Sequence, residues 1–503
     1  MSEFLSCSAY EKLAKSLKFP TKAFINGKFV PAVSEKTMAT LNPATGKEIA
    51  QVADCGPEDV DLAVKAARKA FERGVWSRMH PTERKKVILR FTELLEKHLV
   101  ELAVLESIDS GKSLRDCLTN DVPETLLCMQ WHAEYVDKTY GSISPAGSDT
   151  LSLIVKEPSG VVACVLPWNF PLLMLAWKLA PALSEGNSVI IKPASVTSLS
   201  TLRFVELAAE AGIPEGVLNV LPGSGAVAGK ALGLHPDIDV LSFTGSTEVG
   251  RYFLQYAAAS NLKRIVLELG GKSPFVVLDD VSDFSNVAAH AAGAAFGNMG
   301  ENCTANSRII IHESKKDQFL DAFMSEVANW KTGNPLDTNN ALGAIVSKTQ
   351  FDTIMKYIEI GKKEGAKALT GGEALQIAEL KDGLFIPPTV FDQVKPVDTI
   401  AKEEIFGPVT AIMTVSSNEE ALQLANETNY GLQATLFTGS LKNAHKYASA
   451  LKAGTVSVNA YSEGDNTTPF GGYKLSGFGG KDKGRESHDQ YTETKTIFIN
   501  LEG

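Results

Sequence analysis

One cysteine is a candidate nucleophile in this sequence. Cys303 lies in the stretch from Gly293 to Arg308, which reads GAAFGNMGENCTANSR and is rich in small residues. Gly297 and Gly300 should let the backbone turn sharply just before the cysteine, so we predict a thiol presented from a loop. A lone cysteine in a soluble chain is more often a small buried apolar residue than a nucleophile. This stretch alone therefore leaves both interpretations open.

Two further polar residues follow apolar runs that are typical of strands. Glu268 begins the sequence ELGGK, and Asn169 lies in the sequence PWNF. A carboxylate can act as a general base, and a side-chain amide can stabilise a developing negative charge. Glu268 also has a structural interpretation, in which a carboxylate at a strand end caps the glycine turn that follows it. The thiol, the carboxylate and the amide together favour nucleophilic chemistry.

The composition is that of a globular protein with large apolar cores. The chain has 503 residues, which is enough for two or three domains at about 150 residues each. Hydrophobic residues make up 44% and charged residues 21%, so nothing indicates long disordered segments. The net charge of −10 and the lack of a basic block argue against nucleic acid as a partner.

The cysteines and the amino terminus predict a reducing compartment. None of the six cysteines forms a C-x-x-C pair or a ligand-spaced cluster with histidine, so we predict a metal-free cytoplasmic protein. The start, MSEFLSCSAYEK, is acidic where a signal peptide needs a basic start. Residues 158–177 carry no charge, but Pro167, Asn169 and Pro171 interrupt them. They predict a buried strand and a helix start, with no membrane span.

The amino-terminal part is expected to be structural. FINGKFV at residues 24–30 predicts a hairpin, because Asn-Gly favours a tight turn. Pro57 occupies the place of a first helical residue, and apolar residues follow it at helical spacing. Two more helices are expected, from about 81 to 110 and from about 122 to 138.

From Val161 onward, apolar strand-like runs alternate with helical stretches. A first block has such runs at 161–166, 188–192, 217–221, 239–243 and 264–267, and a second block has them at 275–279, 308–312, 409–415, 434–438 and 455–459. This alternation favours two α/β domains with open, mostly parallel sheets and helices on both faces. Ligands of such sheets bind beyond the carboxyl ends of the strands. Four residues are expected there: Asn169, Lys192, Gly245 and Glu268.

Two glycine loops compete for the pyrophosphate of a dinucleotide. The loop from Gly223 to Ala228 matches the dinucleotide fingerprint formally, but a structural turn explains it equally well. The loop from Gly245 to Gly250 also joins a strand to a helix, and its amides could meet phosphate at the positive end of that helix. The residues alone do not decide between the loops.

Together with FTGS at 243–246 and EIFGP at 404–408, these motifs closely resemble the aldehyde dehydrogenase superfamily, over nearly the whole chain. The resemblance implies a Rossmann-like cofactor domain with an open parallel sheet (1–139 and 159–270), an α/β catalytic domain (271–470) and a small β oligomerisation element (140–158 and 471–503). Residues 152–156 and 496–501 alternate as strands should. The resemblance implies a homodimer or homotetramer built through them, and unpaired edge strands would otherwise invite aggregation.

The resemblance also implies a role for each candidate catalytic residue. The Cys303 thiolate would attack the aldehyde carbon, making it tetrahedral and leaving an activated thioester. The Asn169 side-chain amide and the Cys303 backbone amide would stabilise the oxyanion. Glu268 would be the general base for hydrolysis of the thioester, and Lys178 would relay protons near it.

Contacts with an NAD or NADP cofactor and with the aldehyde are implied in the same way. The resemblance favours the loop at Gly245 for the pyrophosphate, with Gly225 on the adenine side. The implied cofactor contacts are Trp168, Lys192, Ser195, Gly225, Gly245, Ser246, Val249, Leu269, Glu404 and Phe406. The implied substrate contacts are Met174, Trp177, Tyr461, Glu463, Asp465 and Phe470. Glu463 and Asp465 would hold a cationic amine, unless their loop is merely a solvated acidic one.

One position departs from the pattern of many NAD-preferring relatives. They have a glutamate three residues beyond the lysine of SVIIK, where it receives the adenosine-ribose hydroxyls, and this chain has Ser195 there. No Asp or Glu occurs between Gly186 and Val205. A charge-assisted hydrogen bond of ~1.5 to 3 kcal/mol is therefore missing, and so is the repulsion of a 2′-phosphate. We predict that both NAD and NADP are used, unless an acid from a distant segment fills the gap.

The resemblance is greatest to the gamma-glutamyl-gamma-aminobutyraldehyde dehydrogenases of putrescine degradation, and it includes PFGGYK at 469–474. Other members accept guanidinobutyraldehyde, betaine aldehyde or 3-hydroxypropionaldehyde, so the aldehyde stays open. One alternative is an aldehyde dehydrogenase that acylates coenzyme A, a branch that generally lacks a glutamate at position 268. Another is a non-enzymatic structural protein on this fold, which is disfavoured because Cys303, Glu268 and Asn169 are all intact.

Overall fold

The computed structural model describes residues 4–502, in which two large α/β sheets dominate the architecture. The helices are α1 (Cys7–Ser16), α2 (Pro57–Arg73), α3 (Pro81–Lys97), α4 (Leu99–Ser110), α5 (Leu114–Asp116), α6 (Val122–Tyr135), α7 (Pro171–Ser184), α8 (Leu199–Glu210), α9 (Lys230–Leu234), α10 (Thr247–Ala258), α11 (Phe284–Phe296), α12 (Lys316–Val327), α13 (Lys348–Lys363), α14 (Thr399–Lys402), α15 (Asn418–Asn426), α16 (Leu441–Ala450) and α17 (Glu486–Asp489). The strands are β1 (Ala23–Ile25), β2 (Lys28–Val30), β3 (Thr37–Leu41), β4 (Glu48–Ala53), β5 (Ser142–Ile143), β6 (Thr150–Pro158), β7 (Val161–Val165), β8 (Ser188–Lys192), β9 (Leu218–Val220), β10 (Val240–Thr244), β11 (Arg264–Glu268), β12 (Pro274–Val277), β13 (Arg308–His312), β14 (Lys367–Thr370), β15 (Thr389–Asp392), β16 (Val409–Val415), β17 (Gln433–Phe437), β18 (Thr455–Val458), β19 (Gly477–Phe478) and β20 (Thr492–Asn500).

The first sheet has the strand order β19-β11-β10-β7-β8-β9-β1-β2. Its five central strands, from β11 to β9, are parallel. Every residue of β7, β8 and β10 is buried, which explains why these strands read as continuous apolar runs rather than as alternating ones. The carboxyl ends of β7, β8, β10 and β11 therefore meet at one edge, where the sequence predicted a ligand site.

The second sheet has the order β14-β15-β16-β13-β12-β17-β18 and is parallel except for β14. All five runs predicted in the second block are strands. The sequence did not indicate β14 and β15, which extend the sheet beyond β16. Residues of β14 are half-buried or exposed, so this edge strand lacks the apolar run that would have marked it.

A third sheet, β20-β6-β5, is antiparallel, and β6 pairs with β20 along nine residues. The two strands predicted at 152–156 and 496–501 thus lie side by side. The segment after residue 471 also reaches the first sheet, because β19 pairs with β11 and sets Gly477 opposite Glu268. The domain boundaries given above stay a prediction.

The amino-terminal part contains the predicted hairpin, with Asn26 and Gly27 both at positive φ between β1 and β2. The single helix expected from 81 to 110 is instead two helices, α3 and α4. They are separated at His98, whose φ and ψ of −104° and 13° are not helical, and the His98 ring contacts Glu101 at 2.5 Å. The helix expected to reach 138 ends at Tyr135.

Candidate active site

A cleft of about 470 Å³ lies at the carboxyl ends of β7, β10 and β11 and is closed on its other side by residues of the second α/β block. Half of the predicted site residues line it: Trp168, Asn169, Met174, Gly245, Ser246, Val249, Leu269, Cys303, Glu404 and Phe406. The other predicted residues lie outside this lining: Lys178, Glu268, Lys192, Ser195, Gly225, Trp177, Tyr461, Glu463, Asp465 and Phe470. The cleft thus brings the cysteine and the candidate amide donor together with most of the predicted cofactor contacts.

The turn before Cys303 differs from the one expected. Asn298, Met299 and Gly300 have consecutive φ values of 53°, 57° and 67°, so the left-handed backbone runs through three residues. Gly297 has a φ of −49°, and a Cβ there would meet no atom within 4 Å, so the prediction that Gly297 makes the turn is wrong. Gly300 is required, since a Cβ there would lie 2.1 Å from the Gly407 carbonyl oxygen. The turn is fixed by close packing against the loop before β16.

The sequence ELGGK packs directly against the cysteine loop. A Cβ at Gly271 would lie 2.2 Å from the carbonyl oxygen of Cys303, and a Cβ at Gly270 would lie 2.1 Å from Glu404 Oε2. The Gly271 N–H donates to Glu404 Oε1 at 2.9 Å. Burial raises the pKa of Glu404 to about 7, and this N–H and the charge of Lys272 oppose the shift. Gly271 is therefore explained by close approach of the Cys303 backbone, and Gly270 by close approach of the Glu404 side chain.

Asn169 is oriented by its neighbours. Its Nδ2 donates to the Glu301 carbonyl at 3.0 Å, which fixes one N–H of the amide and leaves the second free. Asn169 and Cys303 both line the cleft. Within residues 4–502, the Cys303 backbone N–H donates to no backbone carbonyl, and it faces the sulfur of its own residue, where it opposes the rise of the thiol pKa. The second N–H of the Asn169 amide is thus available in the cleft that holds the thiol.

The Cys303 thiol is half-buried and forms no disulfide. Burial raises its pKa well above the ordinary value, and the negative charges of Glu463, Glu404 and Glu268 raise it further. A thiolate at this site therefore depends on a base, since the neighbouring charges do not stabilise it.

Glu268 is buried beside an ion pair that is itself fully buried. Burial raises the pKa of Glu268 well above its ordinary value, and the charge of Asp482 adds to the shift, whereas Lys178 and Lys481 oppose it. Lys178 Nζ lies 2.9 Å from Asp482 Oδ2. Within residues 4–502 neither oxygen of Glu268 forms a hydrogen bond of normal geometry, but the Gly472 N–H is close enough to oppose the pKa shift, and a Cβ at Gly471 would lie 2.6 Å from Oε1. The carboxyl is therefore free to accept a proton from water that enters the site.

The predicted pyrophosphate loop lies at the amino terminus of α10, where Ser246 accepts a hydrogen bond from the Val249 N–H. Gly245, Ser246 and Val249 all border the cleft, so the positive end of a twelve-residue helix faces it. Gly225 does not line the cleft, and a Cβ there would meet nothing within 4 Å. The geometry therefore fits an anion at the second of the two glycine loops.

Also in the cleft lining, the rings of Trp168 and Phe406 meet edge to face at 5.1 Å. Phe406 has a φ of 57°, and Gln350 Nε2 donates to its carbonyl at 2.7 Å. Gln350 lines the cleft, but no motif in the sequence indicated it. Its effect is to hold the strained backbone of Phe406 in place.

Lys192 and Ser195 are not part of the cleft lining, and Lys192 lies near Gly229, which follows the first glycine loop. Lys192 is buried, and its Cδ would lie 3.8 Å from a Cβ at Gly229. Burial lowers the pKa of Lys192 to about 8, and the charges of Cys55 and Asp54 oppose the shift. The half-buried Asp54 is therefore an acid from a distant segment close enough to act on this lysine.

Of the six predicted substrate residues, Met174 lines the cleft and the other five form two groups. In the first, the rings of Trp177 and Phe470 lie 4.9 Å apart, and both are buried. The sequence did not indicate Lys483, whose Nζ lies 4.7 Å from the centre of the Trp177 ring and donates to the Glu463 carbonyl at 3.0 Å. Two lysines at 481 and 483 in an acidic protein were the only signal for this cation.

In the second group, Glu463 is already occupied by hydrogen bonds. Its Oε1 accepts from Thr304 Oγ1, and the Tyr461 hydroxyl lies 3.2 Å from the same oxygen. Asp465 is exposed, and its Oδ1 accepts from the Thr467 N–H at 2.9 Å. The two carboxylates that the sequence treated as equivalent therefore differ: Glu463 is tied to the cysteine loop, and Asp465 faces solvent.

The chain matches the family model described as "Aldehyde dehydrogenase family" over residues 29–497. It is 51% identical over 500 residues to the aminoacetaldehyde dehydrogenase of Pseudomonas aeruginosa, with 99% of this chain and 100% of the relative covered. The chain belongs to the aldehyde dehydrogenase family. It is 43% identical to the NADP/NAD-dependent aldehyde dehydrogenase PuuC of Escherichia coli, with 98% of each chain covered.

Solved structures agree with this assignment. The gamma-glutamyl-gamma-aminobutyraldehyde dehydrogenase of Burkholderia cenocepacia superposes with a TM-score of 0.96 at 46% identity, over 99% of this chain and 100% of that one. The indole-3-acetaldehyde dehydrogenase AldA of P. syringae, in complex with NAD+ and IAA, gives a TM-score of 0.97 at 46% identity and the same coverage. The predicted fold class and the predicted aldehyde dehydrogenase activity are confirmed. The relatives do not favour the non-enzymatic or the coenzyme A-acylating alternative.

Two further findings concern metal binding and membrane-spanning helices. Within residues 4–502, no three His, Cys, Asp or Glu side chains are grouped so that they could hold a metal ion. None of the described helices is both long enough and apolar enough to cross a bilayer.

Proposed function

We propose that this enzyme oxidises an aminoaldehyde, such as gamma-glutamyl-gamma-aminobutyraldehyde, to the carboxylic acid with NAD or NADP, and that Cys303, Asn169 and Glu268 carry the chemistry. The observation that supports the catalytic assignment is that the Cys303 thiol and the Asn169 amide, which keeps one N–H without an acceptor, line one cleft at the carboxyl ends of the parallel strands. The aminoaldehyde class is supported by the names of the P. aeruginosa and B. cenocepacia relatives.

In the first half of the reaction, Glu268 takes the thiol proton of Cys303 through a water molecule, and the thiolate sulfur attacks the aldehyde carbon and forms a thiohemiacetal. The oxyanion accepts hydrogen bonds from Asn169 Nδ2 and from the Cys303 backbone amide. Loss of one such donor typically costs ~2.7 to 4 kcal/mol of barrier. A nicotinamide cofactor held by the cleft would supply the hydride acceptor, and loss of hydride from the former aldehyde carbon would leave a thioester on Cys303.

In the second half, water cleaves the thioester, and Glu268 takes the proton of that water. The raised pKa of Glu268 makes it a stronger base than an exposed carboxylate once it is ionised. The released acid leaves Cys303 as a free thiol. Lys178 and Asp482, paired behind Glu268, offer a route by which the proton leaves the buried base.

The cofactor is proposed to lie along the cleft, with its pyrophosphate at the amino terminus of α10 and its nicotinamide near Glu404 and Phe406. The fit is supported by the glycine at 245 and by the pairing of Glu404 with Gly271, which holds a carboxylate at the cleft wall. Use of both NAD and NADP is supported by Ser195 and by the name of the E. coli relative.

At the substrate end, the exposed Asp465 is the better candidate for a contact with an ammonium group, because Glu463 is committed to Thr304 and Tyr461. The charge of Lys483 offsets part of the negative charge of this loop. The contribution of Asp465 should accordingly be small, because partly exposed ion pairs give only ~0.2 to 1 kcal/mol.

We also propose a cytoplasmic homodimer or homotetramer. The outer edge of β20 carries exposed apolar side chains, including Ile497, Phe498 and Ile499, which a partner strand would cover. All six cysteines are free thiols, as suits a reducing compartment.

The proposed substrate and mechanism are tested by steady-state kinetics of the purified enzyme with aminoaldehydes and with neutral aldehydes of similar length. We expect a higher kcat/KM for aminoaldehydes, and Asp465→Asn should raise KM for these alone. Cys303→Ala should abolish cofactor reduction, whereas Glu268→Gln should slow turnover severely and leave a single-turnover burst at raised pH. Full turnover by Cys303→Ala would refute the mechanism, and equal kcat/KM values would refute the substrate class.

A further inference from the structure

The backbone carbonyl of Asn169 accepts hydrogen bonds from two buried side chains. Lys112 Nζ lies 3.0 Å from this oxygen, and Asn298 Nδ2 also lies 3.0 Å from it. Lys112 is 1% exposed and Asn298 is 6% exposed. Because a carbonyl oxygen has two lone pairs, its hydrogen-bonding capacity is filled. The peptide that follows Asn169 is therefore held from two directions.

Lys112 is placed for this contact by a buried ion pair. Its ammonium contacts the carboxylate of Asp121, which is also buried, and lies 4.1 Å from the centre of the Phe170 ring. A buried charge is costly unless it is paired and fully hydrogen-bonded. With Asp121 and the ring of Phe170 on its other sides, the remaining donor capacity of Lys112 goes to the Asn169 carbonyl.

The loop that carries Lys112 is itself fixed across the two α/β blocks. The Gly111 carbonyl accepts from the Ala344 N–H at 2.8 Å, and the Leu114 N–H donates to the Pro335 carbonyl at 2.9 Å. A Cβ at Gly111 would lie 2.6 Å from the Ala344 carbonyl oxygen. Lys112 therefore approaches Asn169 from a rigid loop.

We propose that Lys112, held by Asp121, is a positioning residue that sets the aim of the Asn169 side-chain amide. Lys112 fixes the carbonyl of Asn169, and the Glu301 carbonyl fixes one N–H of its side chain. The second N–H is then left without an acceptor and can meet the oxyanion. This proposal rests on the oxyanion role of Asn169 given under the proposed function.

The test removes both charges together, because Lys112→Met alone would leave Asp121 buried and unpaired. In Lys112→Met/Asp121→Asn, the rate of NADH formation in a single turnover should fall by about tenfold to a hundredfold, the scale expected when a reacting geometry is displaced. The rate of Cys303 alkylation by iodoacetamide and the dissociation constant of NAD should not change, because neither involves the oxyanion. Equal losses in all three would indicate a merely structural role and overturn the proposal.

The matched control is Lys316→Met/Asp392→Asn, which removes a partly buried ion pair with a 2.8 Å contact near β15. It should leave the single-turnover rate unchanged. In an Asn169→Ala background, the Lys112 and Asp121 changes should cause no further loss, because their effect passes through the missing amide. A further loss of tenfold or more in that background would show that Lys112 acts by another route.

The single-turnover rates of these variants distinguish the positioning role of Lys112 from the oxyanion role of Asn169. A wild-type single-turnover rate in Asn169→Ala would refute the oxyanion role of Asn169. A slow Asn169→Ala enzyme together with an unchanged Lys112→Met/Asp121→Asn enzyme would refute only the positioning role. If the double variant does not fold, Asp121→Asn alone serves, since Lys112 then loses its anchor; an unchanged single-turnover rate in that variant would also overturn the proposal.

Discussion

Lys178 and Asp482 form an ion pair in which Nζ lies 2.9 Å from Oδ2 and neither side chain is exposed to solvent. Lys178 comes from α7, and Asp482 follows β19, the short strand that pairs with the strand carrying Glu268. Asp482 raises the pKa of Glu268, and Lys178 lowers it. Two residues of opposite charge, from segments far apart in the sequence, thus shift the pKa of the candidate base in opposite directions.

The first prediction is that removing Asp482 and removing Lys178 will shift the pH profile of kcat in opposite directions. Glu268 must be ionised to act as a base, so the rate falls as the pH drops through its raised pKa. Asp482→Asn removes a negative charge and lowers that pKa, so the acidic limb of kcat should move to lower pH. Lys178→Met removes a positive charge, and the limb should move to higher pH. The measurement is the pH dependence of kcat for each variant.

The double variant Lys178→Met/Asp482→Asn is the control for this prediction, and its limb should return towards that of the wild type. The Cys303 thiol also titrates, so its own profile is measured separately by iodoacetamide alkylation. Shifts of the same sign in the two single variants would show that the pair does not act on Glu268 through its charges.

A second prediction concerns the glycines around the cysteine. Gly271→Ala places a Cβ 2.2 Å from the Cys303 carbonyl oxygen, so the loop must move and single-turnover activity should fall strongly. Such overpacking typically costs about 1 to 3 kcal/mol of stability. Gly297→Ala is the matched control, because its Cβ meets no atom within 4 Å. We expect Gly297→Ala to keep wild-type kcat and melting temperature; a loss as large as that of Gly271→Ala would contradict the geometry.

The sequence predicted local structure correctly where a single residue type determines it. Buried parallel strands read as apolar runs, Asn26-Gly27 marked a tight turn, and Gly271 and Gly300 allow close approach of backbones. The sequence was misleading at Gly297, because Asn298 and Met299 take up the left-handed conformation instead. Tertiary packing against the Gly407 carbonyl imposes that turn, and no local propensity predicts it.

Contacts between distant segments could not be read from the sequence. Lys112 is about 57 residues from Asn169, and Asp482 is 304 residues from Lys178, so neither pair leaves a spacing signal. The same limit explains why Glu463 and Asp465 looked alike. Only the fold shows that Thr304 and Tyr461 bind Glu463, while Asp465 stays in solvent.

The different surroundings of Glu463 and Asp465 lead to a third prediction. Glu463 is the charge that most strongly raises the pKa of Cys303, after the effect of burial. Glu463→Gln should therefore lower the thiol pKa, and the pH profile of iodoacetamide alkylation should move to lower pH. Asp465→Asn should leave that profile unchanged. Identical profiles for Glu463→Gln and the wild type would mean that the Glu463 charge does not reach the thiol.

The last prediction concerns the choice between NAD and NADP. Ser195 stands where many NAD-preferring relatives have a glutamate, and Ser195→Glu would supply a charge-assisted hydrogen bond to the adenosine ribose of ~1.5 to 3 kcal/mol. The same carboxylate would repel a 2′-phosphate, by about 1 to 4 kcal/mol for unit charges at ~4 Å. The ratio of kcat/KM for NAD to that for NADP should therefore rise by at least about tenfold. Asp54→Asn tests whether this distant acid, whose charge acts on Lys192, already fills the gap, and it should then shift the ratio towards NADP. A wild-type enzyme that rejects NADP more than about a thousandfold, together with an unchanged ratio in Ser195→Glu, would show that position 195 does not select the cofactor.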